Sequence, residues 1–380
     1  MNKDLIEEGK MLKLLEKLVN IDSGSYCKTG VDKIGEILSA YYVELGYDIQ
    51  KCEQDAVGDH LIITHPKGKQ ASILIIAHMD TVFEKGTAAI RPFTMKEGRA
   101  YGPGVIDMKA SLVTVLYALR YLKEIGSNAY QNVHLILNSD EEIGSVSSRK
   151  LIEEAAKGKS YALIMEPARR DGSVVTERRG SGRFTIEVHG KAAHSGIEPE
   201  KGRSAIEELA HKIVKLHDLN DHEHGISVNV GMIEGGNAVN TVSDTAIGHV
   251  DVRVSTAEQA EEVEHQIEEV CSSSDVKGTE IELTGDMRRP PMLKDKKIEA
   301  LFHIVRDVGA DLGIDVRDTK TGGGSDASFT AAMGIPTIDG LGPIGGNAHS
   351  DKEYLEIASL TERTLLLANV VERLTSEETK

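Results

Sequence analysis

The chain of 380 residues carries 44 Lys plus Arg against 61 Asp plus Glu, a formal net charge of −17. That balance repels phosphate backbones and anionic membrane surfaces, so neither nucleic acid nor a membrane is expected as a partner. The length exceeds one ordinary core and suits two, and the three widely spaced cysteines, Cys27, Cys52 and Cys271, form no CxxC pair for a structural zinc or redox site and fit a reducing compartment.

Residues 1–19 repeat their apolar side chains at helical spacing and carry acids early, which predicts an amphipathic helix unlike the basic start and apolar centre of a secretory signal. No apolar run reaches the roughly 20 residues of a membrane helix, so a soluble, cytoplasmic protein is expected. Strands are read at 72–77 (SILIIA), 133–138 (VHLILN) and 161–167 (YALIMEP), with helices over 108–125 and 145–156. This alternation, running to about residue 178, predicts a helix-flanked, mostly parallel α/β sheet.

The rhythm then changes. A strand at 183–189, a helix at 202–217, strands at 226–233 and 246–254, a helix at 257–271 and a strand at 280–284 give the order βαββαβ, the ferredoxin-like α+β pattern. After Pro290-Pro291 the α/β rhythm resumes with a helix over about 296–312, the glycine run Thr321 to Asp326, a short strand near Thr337 and a last helix to about 374. The expectation is a first domain of 1–178 with 291–380, interrupted by an inserted domain of 179–290.

In a parallel α/β sheet ligands gather beyond the carboxyl ends of the strands. The strands here are followed by Ala77-His78-Met79-Asp80, by Ser139-Asp140-Glu141-Glu142 and by Glu166-Pro167, and the late strand by a loop ending in His349-Ser350-Asp351. Each delivers a metal-type side chain to one rim. Two residues apart in extended chain face the same way, so Asp80 is placed to orient the His78 ring. Glu166 after a wholly apolar strand needs a charge partner or a cation. Adjacent Glu141 and Glu142 suit a metal ligand beside a proton acceptor, although an acidic helix start explains such a pair too. Asp107, in a glycine-rich approach to a helix, taken alone reads better as an N-cap than as a ligand. Histidines 217, 222 and 224 lie in a polar run that reads as a solvated loop.

The segments HMDTV, AYGPGVIDMKA, SDEEIGS, MEP, GKAAHSG, GGNAVNTV, DVRV, TGGGSD and HSDKEY resemble, in order and across essentially the whole chain, the zinc-dependent exopeptidases and deacylases of the M20 family. The likeness is nearest to the bacterial glutamate carboxypeptidase branch. It implies two divalent cations, zinc or else cobalt or manganese. Asp107 would bridge them, His78 and Glu166 would complete one, and Glu142 and His349 the other. Asp80 would orient His78, Glu141 would act as base, and the Asp107–Met108 peptide would be cis. The resemblance further implies that His194 of the inserted domain stabilises the oxyanion, and that this domain forms a homodimer. Arg289, Arg253 and Asn240 match substrate contacts, with bracing of the inserted sheet as the other reading of Arg253. The implied activity is release of a C-terminal residue such as glutamate from a peptide or N-acyl amino acid. Alternatives are an N-acyl amino acid deacylase, a di- or tripeptidase, or a non-catalytic metal-binding protein.

Overall fold

The structure, a computed structural model, describes residues 5–68 and 70–377. Residues 1–4 of the expected first helix lie outside that range; among the described residues the helix starts only at Glu8, and Glu8–Val19 buries Met11, Leu14, Leu15, Leu18 and Val19 at helical spacing. The chain forms two compact units. One runs through Glu177 and takes in Lys294–Thr321 and the residues from Ser325 onward; the other is Arg178–Leu293 with Gly322–Gly324.

The first unit is built on a six-stranded sheet in the order Asp48–Cys52, His60–Thr64, Val133–Asn138, Ile73–His78, Tyr161–Ile164, Thr337–Ile338. The last four strands are mutually parallel. His60–Thr64 alone runs against both of its neighbours, so the sheet is mostly parallel, as the alternating rhythm predicts. Ile73–His78 is buried at every position, the mark of a strand covered on both faces. The helix Ala110–Glu124 is buried over nearly its whole length and packs against Ile357–Glu377 and Glu8–Val19.

A second, smaller sheet in this unit joins Gly345–Gly346, Tyr354–Glu356, Arg99–Tyr101 and Thr94–Lys96. No hydropathy pattern announced it, because its strands are two or three residues long. Within it Tyr354 pairs with both Tyr101 and Gly346, so the loop before Tyr354 and the turn after Tyr101 leave the same sheet.

Several expected boundaries move: the strand read at 161–167 ends at Ile164, the helix read from 202 begins at Ala205, and the strand read at 280–284 runs on to Arg289. The helix read from Ser145 begins at Arg149, because the Asp140 carboxylate accepts the backbone N–H groups of Ser147 and Ser148 at 2.6 and 3.2 Å and holds that stretch as a turn. The helix read from Met108 begins at Ala110, after an irregular turn over Val105–Lys109.

The second unit is a four-stranded antiparallel sheet ordered Ser227–Gly235, Thr245–Val254, Gly180–His189, Glu280–Arg289. With the helices Ala205–His217 and Ala257–Cys271 this is the ferredoxin-like arrangement. Phe184, Ile186, Val188, Val250, Val252 and Val254 alternate onto the face that packs with Leu209, Leu216, Val263 and Ile267. The second helix opens on a capping box between Thr256 and Gln259. Ser227–Gly235 is an edge strand and carries exposed Met232 and Ile233.

Candidate metal centre

Parallel pairing in register sets the carboxyl ends of three strands side by side: His78 lies opposite Asn138, and Ile76 opposite Ile164. His78 therefore ends one strand, Glu141 and Glu142 follow the second in a short turn, and Glu166 follows the third. The remaining two residues come through the small sheet. Asp107 stands beyond Tyr101, and His349 in the loop between Gly346 and Tyr354, so pairing of those strands unites residues far apart in sequence.

Five of the expected residues converge as two clusters that share Asp107: His78, Asp107 and Glu166, and Asp107, Glu142 and His349, with the ligand atoms of each group within 4.8 Å of one another. Asp107 offers Oδ1 to His78 Nε2 at 3.2 Å and Oδ2 to His349 Nε2 at 3.2 Å. Glu166 Oε1 lies 3.8 Å from His78 Nε2, and Glu142 Oε2 lies 3.2 Å from His349 Nε2. The N-cap reading of Asp107 is not realised: the helix begins at Ala110 with Lys109 at the cap position, and no side chain caps it. The Asp107–Met108 peptide is cis. His349 has φ 62°, a left-handed conformation uncommon outside glycine.

The electrostatics of these groups call for cations. Burial pulls the His78 pKa down, yet Asp107, Asp80 and Glu166 outweigh it and hold the ring well above its ordinary range. Asp107 and Glu142 lift His349 to about 11. Burial raises Glu142 to about 7, with Asp107 and Glu141 adding to the push against His349. Burial, Asp107 and Glu141 raise Glu166. The carboxylates raise both imidazoles, and burial with mutual repulsion raises two of the carboxylates, so a cation among them would relieve that repulsion. Glu142 Oε1 is buried with no hydrogen-bond partner among the described residues, an acceptor left for something other than a protein donor. Imidazole and carboxylate together are a donor set for divalent transition metals. The residues fit a two-cation site.

Asp80 is fully buried, and its carboxylate does more than the spacing suggested. His78 Nδ1 lies 2.9 Å from the main-chain carbonyl oxygen of Asp80 and 3.5 Å from its Oδ1. The carboxylate itself accepts the backbone N–H groups of Glu141 and Glu142, each at 3.2 Å, and the Ser25 hydroxyl at 2.6 Å. Glu353 plays the matching part for Asp107. Its buried carboxylate accepts the N–H groups of Gly104 and Ile106 at 2.9 Å and of Asp107 at 3.1 Å. Neither Ser25 nor Glu353 was legible as a supporting residue; a glutamate four positions after His349 was the one available cue.

The other expected site residues lie in the second unit. His194 is exposed, in a short strand paired with Thr241–Val242, and its Nδ1 accepts the N–H of Gly196 at 3.1 Å. Asn240 is joined to the same turn, its carbonyl accepting the N–H of Ser195 at 3.0 Å. Arg289 is buried at the end of its strand, opposite Ser181. Arg253 gives its guanidinium fork to Asp251, at 2.9 and 3.0 Å.

The chain matches the description of Peptidase family M20/M25/M40 over residues 74–373. It is 31% identical over 374 residues to carboxypeptidase G2 of Pseudomonas sp. strain RS-16, covering 96% of this chain and 89% of that one. Among solved structures it shares the fold of an aminopeptidase from Bacillus cereus, with a TM-score of 0.76, 24% identity and coverage of 98% and 100% of the two chains. It shares it equally with an M20 family metallo-carboxypeptidase from Sulfolobus solfataricus, at TM-score 0.76, 18% identity and coverage of 95% and 98%.

Proposed function

We propose, from the premise that this chain belongs to peptidase family M20/M25/M40, that it is a two-metal exopeptidase releasing a C-terminal amino acid, glutamate foremost, from a peptide or N-acyl amino acid. The observation that carries this reading is Asp107, which turns one carboxylate oxygen to each of two clusters. His78 and Glu166 would hold one cation with it, and Glu142 and His349 the other. Zinc suits these ligands, and cobalt or manganese would accept them.

When bound, the cations polarise the amide carbonyl and lower the pKa of a water toward neutrality. Glu141 takes the proton of the attacking water and returns it to the leaving nitrogen. Glu141 adjoins Glu142 in the short turn after the second strand, and its charge adds to the rise in pKa of both Glu142 and Glu166. A binding protein without catalysis would need no carboxylate beyond the cation ligands. In the neutral His194 ring the Gly196 N–H occupies Nδ1, so the proton sits on Nε2. That N–H is the donor assigned to the oxyanion.

Arg289, buried at the end of its strand, is a candidate for the substrate carboxylate, with Asn240 as a polar contact; Arg253 gives its fork to Asp251, which agrees with a bracing role in the inserted sheet. The edge strand Ser227–Gly235, with Met232 and Ile233 outward, supports a homodimer through this unit. Among the described residues no helix is long and apolar enough to cross a membrane; with three free cysteines this supports a cytoplasmic place.

The test is a substrate panel. Zinc- or cobalt-loaded protein should release amino acid from acyl-glutamates or dipeptides and lose that activity to a chelator. Turnover of acetyl-amino acids against unblocked peptides separates deacylase from peptidase. No release from any member would sink the reading.

A further inference from the structure

Asp326 stands at the start of the short helix Ala327–Ala332 but does not cap it, although aspartate is among the preferred residues there. Its buried carboxylate turns instead to the segment that carries Glu141 and Glu142. Oδ2 accepts Asn138 Nδ2–H at 2.7 Å, and Oδ1 accepts the Ser145 hydroxyl. Asn138 ends its strand three residues before Glu141, and Ser145 stands three residues after Glu142. One side chain from far along the sequence therefore grips the turn at both ends, all within the first unit.

Each end is held with little slack. Gly144 and Ser145 are left-handed, with φ 99° and 56°, and for serine that conformation persists only where the surroundings over-determine it. The surroundings do so here: Ser145 N–H donates to the Asp140 carbonyl at 2.8 Å while its hydroxyl donates to Asp326. At the other end Asn138 Nδ2 also donates to Ser148 Oγ at 3.1 Å, and that hydroxyl donates to Asp140 Oδ1 at 2.5 Å. Asn138, Asp140, Ser145 and Ser148 are all buried, so removing the Asp326 acceptor strands donors away from water.

Asp326 is itself anchored. The Ser325 hydroxyl donates to Asp339 Oδ2 at 2.5 Å, and Ser325 Oγ accepts Ala327 N–H at 3.2 Å. The helix Ala327–Ala332 packs against Arg149–Ala156, which follows the same turn, and the Arg149 guanidinium lies 5.3 Å from the centre of the Phe329 ring. Whereas Asp80 holds the amides of Glu141 and Glu142, Asp326 sets where their turn begins and where it ends.

We infer that Asp326 is a positioning residue for the proposed base and the adjacent cation ligand, acting through Asn138 and Ser145 and not on the reacting atoms. The roles of Glu141 and Glu142 rest on the proposed two-metal hydrolysis; the bracket around them does not.

The experiment compares wild type, Asp326→Ala and Asp326→Asn as full chains. Hydrogen–deuterium exchange of peptides spanning 139–146 reads the turn, zinc titration reads Glu142, and kcat with KM on a cleaved substrate reads Glu141. Alanine removes both holds. Asparagine keeps an acceptor for Asn138 and can donate to the Ser145 hydroxyl, so it restores the bracket. In Asp326→Ala, exchange over 139–146 should quicken about tenfold or more while the helix Ala110–Glu124 exchanges as in wild type. One of two zinc sites should weaken about tenfold or more, and kcat at saturating zinc should fall about 100-fold with KM within about twofold. Asp326→Asn should recover about tenfold of the loss in kcat. Should Asp326→Ala melt early, Ser145→Ala, which cuts one arm alone, takes its place and should show the same pattern at smaller size.

Unchanged exchange over 139–146 in a folded Asp326→Ala chain overturns the inference. So does exchange raised everywhere alike, a loss that asparagine does not recover, or a quickened turn with zinc affinity and kcat both as in wild type. If wild type binds no zinc and cleaves no substrate while exchange over 139–146 still depends on Asp326, the hydrolase reading falls and the bracket stands.

Discussion

Asp80 Oδ1 accepts the backbone N–H of Glu141 at 3.2 Å. The same carboxylate reaches Glu142 N–H through Oδ2, so one buried side chain fixes both the proposed base and a proposed ligand. Asp80→Asn keeps the shape but offers one acceptor oxygen where two amides now bond, and turns an NH₂ toward a donor. We expect kcat to fall about 100-fold with metal content retained, read by steady-state kinetics beside elemental analysis. Unchanged kcat would show that the loop needs no such anchor.

Glu353 and Asp107 form the second such pair. Three backbone N–H groups around Asp107 converge on the Glu353 carboxylate, which is buried. Glu353→Gln leaves at least one of those donors facing an NH₂, a loss of about 1–3 kcal/mol. The melting temperature should fall, and zinc affinity with it, since the turn presents the shared ligand. A zinc titration that matches wild type would refute the coupling.

Cation binding should stabilise the first unit beyond its effect on turnover. Ions that bind the folded state alone add about 2.7 kcal/mol at a concentration one hundred times Kd. A chelator should therefore lower the melting temperature of the wild type by several degrees, and of Glu166→Gln by less. Equal shifts in both would argue that Glu166 holds no cation.

His134 gives a pH signature away from the centre. It lies on the strand Val133–Asn138, its Nε2 lacks a partner among the described residues, and burial, helped by Lys159, lowers its pKa to about 4 from an ordinary 6.5. A group depressed on folding contributes its full stability above the unfolded pKa. That contribution is lost as pH falls from 6.5 toward 4, because the unfolded chain takes up the proton first. His134→Leu should therefore lose about 2 kcal/mol less than wild type between pH 7 and pH 4.5, measured by urea unfolding at each pH. Parallel losses would contradict the assignment.

Much of the molecule was legible in the chain. Val133–Asn138 and Ala257–Cys271 fall where periodicity set them, because long apolar runs and a helix with a capping box leave little freedom. The rim positions of His78, Glu142 and Glu166 follow from parallel strands. What stayed hidden depends on long-range pairing. The small sheet that brings His349 to Asp107 has strands too short to carry a pattern. The Asp80 carboxylate bonds amides about sixty residues away, so its near neighbour His78 was the partner that spacing suggested. The start of the helix at Arg149 turned on Asp140, whose capture of serine amides reads from sequence as an ordinary acidic loop.

The central claim is a division of labour between adjacent glutamates, Glu142 holding a cation and Glu141 moving the proton. Its most direct test is the turnover of Glu141→Gln at wild-type metal content, measured on whichever substrate the panel identifies. The account predicts two bound cations and a kcat reduced by about 100-fold or more. Hydrolysis at the wild-type rate with both cations present would contradict it.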